Sequence, residues 1–200
     1  LFLCLALLLY AQKQMNLNDL KENSIYSLRE IAWLKTETAL SVDSVSKRND
    51  FYVHDGKAGL SLGFMSELVW LRFRIKNPDS QPRKIYMAIG DFLIFKMELF
   101  QRDSNGSFRS LGIMGRNFPV ASRVYKTNYF IYPIYLPAST DMEYYFYIDA
   151  RGVSLQFMLL LMSEDTLHRQ ENILLYTFGV FMGILLLSAI FHLFLFIYNR

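Results

Sequence analysis

The sequence has a single cysteine among its 200 residues, Cys4, which lies in the apolar run that opens the chain. If that run is removed as a signal peptide, the exported remainder contains no cysteine and can form no disulfide. A lipoprotein role for Cys4 is disfavoured because Leu-Phe-Leu before it lacks the small residues that such a site requires. An exported domain of this chain must therefore be stabilised by the packing of its apolar side chains.

Side chains in catalytic or metal-binding arrangements are also scarce. His54 stands next to Asp55 without the remaining ligands of a metal site, and His168 stands alone. Asp141 and Glu143 are neighbours because they begin a strand, which does not make them a glycosidase pair. No glycine-rich phosphate loop is present. The sequence predicts no enzyme activity, no cofactor and no metal in this segment.

Neither positive nor negative charge is concentrated in one part of the sequence, so the charge does not indicate a binding partner. The 21 basic and 18 acidic residues give a formal net charge of +3 and are spread along the chain. A nucleic-acid-binding protein would carry a dense basic face. We therefore expect no nucleic-acid partner.

One long hydrophobic run is present, from Ile173 to Tyr198, and it contains no Asp, Glu, Lys or Arg. About 20 apolar residues suffice to cross a bilayer, and a single segment can satisfy its backbone in lipid only as a helix. Residues 173–198 are therefore predicted to be a transmembrane helix. Gly179 and Gly183 form a small-xxx-small pair that allows close helix packing. His192 is either a functional group or an interhelical hydrogen-bonding residue.

The start of the chain resembles what remains of a signal peptide. Leu1 to Tyr10 has the length of an apolar h-region and is followed by the small residue Ala11, although no charged n-region precedes it. A short buried core segment is the alternative. An exported start and a later membrane span support each other, so we assign residues 1–11 to the signal peptide and residues 12–172 to an extracytoplasmic domain.

Residues 12–172 have the pattern of a mainly β domain. In Val69 to Lys76, apolar residues alternate with Arg72, Arg74 and Lys76, so one face is core and the other wet, except at Trp70. We expect Trp70 to be structural. Asn77-Pro78 ends this strand. Six further strands are expected: Lys84 to Ile89, Ile94 to Gln101, Ser107 to Ile113, Asn128 to Leu136, Glu143 to Ala150 and Ser154 to Met162.

With one or two earlier strands the count reaches about eight, which suits two packed sheets. Ser27 and Glu30 have the spacing of a helix start. Ser163 to Asn172 is read as a short polar connection to the membrane helix, able to transmit a movement of the domain.

Several segments together resemble a known family. Trp70-Leu71-Arg72-Phe73 is followed by Ile75-Lys76-Asn77-Pro78, Ile89-Gly90, the Phe130 to Ile134 strand and Pro137. Their order resembles the second extracellular domain type of the bacterial seven-transmembrane receptors with diverse intracellular signalling modules. Tyr176, Gly179, Gly183 and the ending His192 to Phe196 resemble the first membrane helix of that family, where Asn is more usual than His192. The resemblance covers about Ile25 to Arg200.

This resemblance implies a jelly-roll β-sandwich similar to carbohydrate-binding modules, on the periplasmic side of a bacterial inner-membrane receptor with seven helices. In that family the cytoplasmic output varies among histidine kinases, cyclases, diguanylate cyclases and phosphatases, and helix-turn-helix regulators. The chain departs from the pattern at Thr127-Asn128, where basic or imidazole side chains are expected.

Candidate ligand contacts are of two kinds. Arg116 and Arg123 are the best of a local group that includes Arg102, Arg109 and Lys126, and their guanidinium groups would suit a carboxylate or phosphate. Solvated strand edges and loops are the alternative account of these arginines. The second kind is aromatic, for stacking on a sugar; the candidates are Tyr125, Tyr129, Tyr132, Tyr145 and Tyr147.

We select Arg116, Arg123, Asn128 and Tyr132 as candidate contacts to a carbohydrate or a carboxylate. The functional prediction is a ligand-sensing domain that signals through membrane helices, and a homodimer is left open. A membrane-anchored adhesion or scaffold domain is the alternative. A membrane-bound glycan hydrolase is a third reading.

Overall fold

The computed structural model describes residues 14–20, 24–54, 56, 59–91, 93–125, 127 and 129–199. The predicted signal peptide, residues 1–11, lies outside this range. The described strands are β1 Met15–Asn16, β2 Tyr26–Ser27, β3 Ile31–Thr36, β4 Tyr52–Val53, β5 Leu60–Phe64, β6 Leu68–Asn77, β7 Arg83–Ile89, β8 Lys96–Arg102, β9 Phe108–Met114, β10 Phe130–Leu136, β11 Thr140–Asp149, β12 Ser154–Phe157 and β13 Leu159–Met162. The α-helices are α1 Val42–Ser46 and α2 Glu164–Tyr198.

The strands form two main sheets and a separate ribbon. The larger sheet has the order β4-β3-β6-β11-β8-β9, and β1 pairs in parallel with β6. The smaller sheet has the order β10-β7-β13-β2, and β12 pairs with β5. Phe73 and Phe146 of the larger sheet share one core with Met87 and Leu161 of the smaller sheet. The predicted fold class is confirmed: a mainly β sandwich followed by one long apolar helix.

The larger sheet is covered on its inner face and on part of its outer face. The inward residues of β6, including Leu71 and Phe73, enter the main core as the alternation predicts. On the other face, Trp70 is only 2% exposed and forms a second cluster with Val42 and Val45 of α1. The ring of Trp70 also stacks on Phe100, with 5.9 Å between centroids. The structural role predicted for Trp70 is thus explained, because a short helix shields this part of the outer face.

Asn77, at the end of β6, binds two loops together. Its side-chain nitrogen donates to the carbonyl oxygens of Gln81 at 3.0 Å, Leu136 at 3.3 Å and Pro137 at 2.8 Å. Asn77 is fully buried, and an amide there satisfies carbonyls that would otherwise lack donors. Asn77 therefore has a structural role at the end of β6.

Three local predictions were wrong. Ser27 does not begin a helix: it lies in β2, which pairs with β13. The predicted strand Ser154 to Met162 divides at Met158, so that β12 pairs with β5 and β13 pairs with β7. The predicted connection Ser163 to Asn172 is helical from Glu164 onward.

The chain divides into two compact units, the first ending at Glu164 and the second beginning at Asp165. Helix α2 is the one helix of the described residues that is long and apolar enough to cross a membrane, and it contains the predicted span. Within it, a side chain added at Gly179 or Gly183 would meet nothing within 4 Å. The His192 Nδ1 atom lies 2.8 Å from the Ser188 carbonyl oxygen. Helix packing through Gly179, Gly183 and His192 stays a prediction.

Candidate ligand-binding cleft

A cleft of about 940 Å³ lies beside the β4 edge of the larger sheet. Trp33 of β3 and Val53 of β4 contribute one part of its wall, and the β5–β12 ribbon contributes another. The residues that follow β7, Gly90 and Asp91, also line it. Because these segments are far apart in sequence, the strand pairing alone brings them together.

The most distinctive feature at this edge is an aromatic pair. Trp33 and Tyr52 are directly opposite on β3 and β4, and their rings stack with centroids 4.7 Å apart and an interplanar angle of 25°. Tyr52 is 62% exposed, and Trp33 is half-buried. Such a pair gives a rigid apolar surface that is not sealed into the core.

Polar groups surround the aromatic surface. The Asp91 carboxylate accepts a hydrogen bond from the Leu93 N–H at 2.9 Å, which holds the turn after β7. Ser61 and Gln156 are paired across β5 and β12, next to a break in register that follows Leu155. Irregularities of this kind re-aim side chains beside binding sites. The cleft therefore combines one stacking surface with hydroxyl, amide and carboxylate groups.

His54 connects this cleft to a second one. The His54 N–H donates to the Ile31 carbonyl oxygen at 2.9 Å, which fixes the residue just after β4. Val53 and His54 also line a neighbouring cleft of about 780 Å³ that contains Tyr26 and Glu30. The Tyr26 hydroxyl donates to the Glu30 carboxylate at 3.1 Å. Burial, with the Glu30 charge and hydrogen bond, raises the pKa of Tyr26 to about 12.

The lining of the first cleft carries little net charge. Among the wall residues that the structure describes, the ionisable ones are His54 and Asp91, and none is Lys or Arg. No group of three metal-ligating side chains occurs in the described part of the chain. Such a lining suits a neutral ligand better than an anion.

The predicted arginine contacts lie elsewhere. The Arg116 guanidinium carbon is 5.1 Å from the ring centroid of Phe95, and that of Arg123 is 4.3 Å from the ring centroid of Phe130. The Arg123 Nε atom is buried and has no hydrogen-bond partner among the described residues. Neither arginine lines the first cleft. The structure thus places both as cations resting on aromatic rings.

The predicted tyrosine contact is corrected by the structure. Tyr132 is fully buried in the main core, and its hydroxyl donates to the Met97 carbonyl oxygen at 3.2 Å. Because no part of its ring is exposed, it is a packing residue. Burial raises its pKa above the usual range for tyrosine. Asn128 lies outside the described residues.

Sequence reasoning missed the residues that do line the cleft. Trp33 is flanked by Ala32 and Leu34, so the strand shows no contrast between an inner and an outer face. The sequence presents His54 beside Asp55, a pair that points to a metal site rather than to a sugar-binding cleft. The sequence signal is a large aromatic residue, Trp33, between two aliphatic residues of the strand.

Residues 29–163 match the family model described as 7TMR-DISM extracellular 2. The chain belongs to this family. The resemblance seen in the sequence is thereby confirmed, and the cleft residues Trp33, His54, Asp91 and Gln156 all lie in the matched segment. An extracellular domain family and a helix able to cross a membrane together indicate that this 7TMR-DISM extracellular 2 domain is anchored to a membrane.

Among solved structures, the chain is similar to TmCBM61, which was determined in complex with β-1,4-galactotriose. The sequence identity is 14%, and the match covers 70% of this chain and 88% of the other, with a TM-score of 0.33. No curated protein matches the chain.

Proposed function

We propose that this 7TMR-DISM extracellular 2 domain is a periplasmic sensor that binds a carbohydrate in the first cleft, without turnover. Export by a signal peptide brings the domain to the periplasmic face of a bacterial inner membrane. Helix α2 then serves as the first helix of a signalling receptor. The observation that carries this proposal is the stacked Trp33–Tyr52 pair at the edge of a largely apolar cleft that has a few polar side chains in its wall.

The chemistry of the cleft favours a sugar over a carboxylate. A pyranose ring has an apolar face that stacks on an aromatic ring and hydroxyl groups that need donors and acceptors. Trp33 offers the ring, while Ser61, Asp91 and Gln156 offer the polar groups. A carboxylate ligand would instead meet the Asp91 carboxylate without a cationic partner among the described wall residues.

The test is a thermal-shift screen of the detergent-solubilised chain against neutral oligosaccharides and organic acids. A ligand that binds only the folded state stabilises it by about 2.7 kcal/mol at 100 times its Kd. We expect a saturable rise in Tm with a saccharide, lost in Trp33→Ala. Arg116→Ala is the matched control, because Arg116 is exposed and outside the cleft, and it should keep the shift.

Two outcomes would contradict the proposal. A shift caused by an organic acid and abolished by Arg116→Ala would place the ligand on the arginines. No shift with any compound, for a well-folded chain, would favour a protein partner or a structural role.

A further inference from the structure

The first residue of α2 is bound within the β domain. The Tyr86 hydroxyl donates to Glu164 Oε1 at 2.7 Å, and Lys84 Nζ lies 3.7 Å from the same oxygen. Tyr86 lies in the middle of β7 and is fully buried. Hydrogen bonds to a carboxylate are shorter and stronger than bonds between neutral groups. This contact is separated by 78 residues along the chain, so it forms only when the sandwich is complete.

A second tyrosine completes the arrangement. The Tyr125 hydroxyl donates to the Tyr86 hydroxyl at 3.3 Å, and the two rings meet edge to face with centroids 5.4 Å apart. Burial, together with the bonds to Tyr125 and Glu164, raises the pKa of Tyr86 well above its usual range. The Tyr86 hydroxyl therefore stays protonated near neutral pH and remains a donor to Glu164.

The residues at the N-terminus of α2 are of the types that stabilise the beginning of a helix. Ser163 precedes the helix, and serine is among the residues preferred at that position. Glu164 and Asp165 place negative charge in the first turn, where the helix dipole favours it. Glu164 thus serves both the helix and the contact with β7.

Two adjacent strands connect this contact to the cleft. β7 carries Tyr86 and ends at Ile89, directly before Gly90 and Asp91 of the cleft wall. β13 contributes Leu160 to the cleft and ends at Met162, two residues before Glu164. The strands are paired, with Met162 opposite Tyr86 and Leu159 opposite Ile89. A displacement of either strand at the cleft is transmitted along a ladder of four residue pairs.

We propose that Tyr86 and Glu164 form a latch that orders the first turns of α2, and that occupancy of the cleft acts on the membrane helix through this latch. The second half of this proposal rests on the proposed function of the cleft. For a ligand to act in this way, its affinity must differ between the latched and released states.

The latch itself is tested by hydrogen exchange of the whole chain in lipid nanodiscs. The first four N–H groups of a helix lack intrahelical partners, so the informative amides are those of residues 168–172. In Tyr86→Phe we expect them to exchange about tenfold faster, the scale of one hydrogen bond to a charged group. The amides of β11 should be unchanged. Tyr135→Phe, on exposed Tyr135 of β10, is the matched control and should have no effect.

A double substitution tests whether Tyr86 and Glu164 slow exchange through one shared contact or independently of each other. Glu164→Ala should accelerate exchange at least as much as Tyr86→Phe, because it also removes the ion pair with Lys84 and a first-turn charge. The double variant should add little beyond Glu164→Ala, because the contact between Tyr86 and Glu164 is already lost in that variant. Asp165→Ala controls for the loss of charge in the first turn. Unchanged exchange in Tyr86→Phe, or fully additive effects in the double variant, would overturn the latch.

Coupling to the cleft is tested without a ligand. Ser61 is exposed on the cleft wall, so Ser61→Cys in a Cys4→Ser background can be labelled with a bulky maleimide that fills the cleft. We expect labelling to change the exchange of residues 168–172 by at least about threefold, and Tyr86→Phe to abolish this change. No change on labelling would overturn the coupling. The binding function would still be tested by the thermal-shift screen with saccharides, because that screen does not depend on the coupling.

Discussion

Two regions are candidates for ligand contacts: the cleft beside β4, which the structure indicates, and the segment Gly115–Arg123, called here the arginine segment, which the sequence indicates. In the arginine segment the guanidinium groups of Arg116 and Arg123 already lie on Phe95 and Phe130. At the cleft, Trp33 is a wall residue whose stacking partner, Tyr52, is 62% exposed. The two regions thus differ in what they leave open: both guanidinium groups rest on rings, whereas an aromatic surface stays exposed beside the cleft.

The two regions also differ in how tightly their backbones are packed. A side chain added at Gly115 would lie 2.3 Å from the Phe95 carbonyl oxygen, and Gly115 has a φ of +143°. In the cleft wall, a side chain added at Gly59 would meet the Met158 side chain at 3.3 Å. The added Gly59 Cβ would also lie 3.5 Å from the Phe157 carbonyl oxygen, which is an ordinary van der Waals distance. Gly115 is thus the more tightly packed of the two glycines, because its added Cβ would overlap backbone atoms.

The largest effect is expected from Gly115→Ala. The new Cβ would collide with the backbone of Phe95 and would force an unfavourable φ, so we expect a loss of about 4 kcal/mol in the free energy of unfolding. Gly112→Ala is the control, since Gly112 also has a positive φ but has nothing within 4 Å of an added Cβ. It should cost about 1 to 2 kcal/mol. Equal losses in chemical denaturation would show that the arginine segment can move.

An intermediate effect is expected at high pH from Tyr26, which lines the second cleft. The pKa of Tyr26 is about 12 in the folded chain and about 10 in an unfolded chain. Between these values the unfolded state releases a proton that the folded state keeps, so stability is constant below about pH 10 and falls above it. The guanidinium groups of the arginine segment stay charged throughout this range.

Tyr26→Phe should therefore make the fall in Tm above about pH 10 shallower without removing it, because buried Tyr132 and Tyr144 also have raised pKa values. Thermal unfolding followed from about pH 8 to pH 11.5 measures the difference. An identical pH profile in both proteins would mean that the Tyr26–Glu30 contact does not persist in solution.

The sequence predicts two kinds of element well: strands whose two faces differ in polarity, and a long run without charged residues. β6 was anticipated almost to its ends, because apolar residues alternate with arginine and lysine from Val69 to Lys76. The membrane-spanning part of α2 was anticipated because an uncharged run of that length has one stable form in lipid. In each case one local property of the sequence, alternation in β6 and the absence of charge in α2, is enough to predict the element.

Where the two faces of a strand do not differ in polarity, the sequence does not predict which face lies in which core or where the strand ends. β3 and β13 are apolar on both faces, since β3 contributes Ile31 to the main core and Leu34 to the second cluster. The boundary at Met158 depends on which strand each half pairs with, and this is a long-range choice. The cleft depends on the same choices, because Trp33, Ser61, Asp91 and Gln156 meet only after β3, β5, β7 and β12 have paired.

The smallest effect on stability is expected from substitution of Arg102 in β8, an arginine outside the arginine segment. Arg102 donates to the Glu143 carboxylate at 2.9 Å, but its side chain is 43% exposed and Arg74 lies 3.6 Å from the same carboxyl group. Arg102→Met should cost less than about 1 kcal/mol, since exposed ion pairs are weak and methionine preserves contact with Phe108. Raising the salt from about 0.02 M to 0.5 M should shrink this cost further. A salt-independent loss above about 2 kcal/mol would instead mean that arginines on this sheet are structural in the same sense as Gly115.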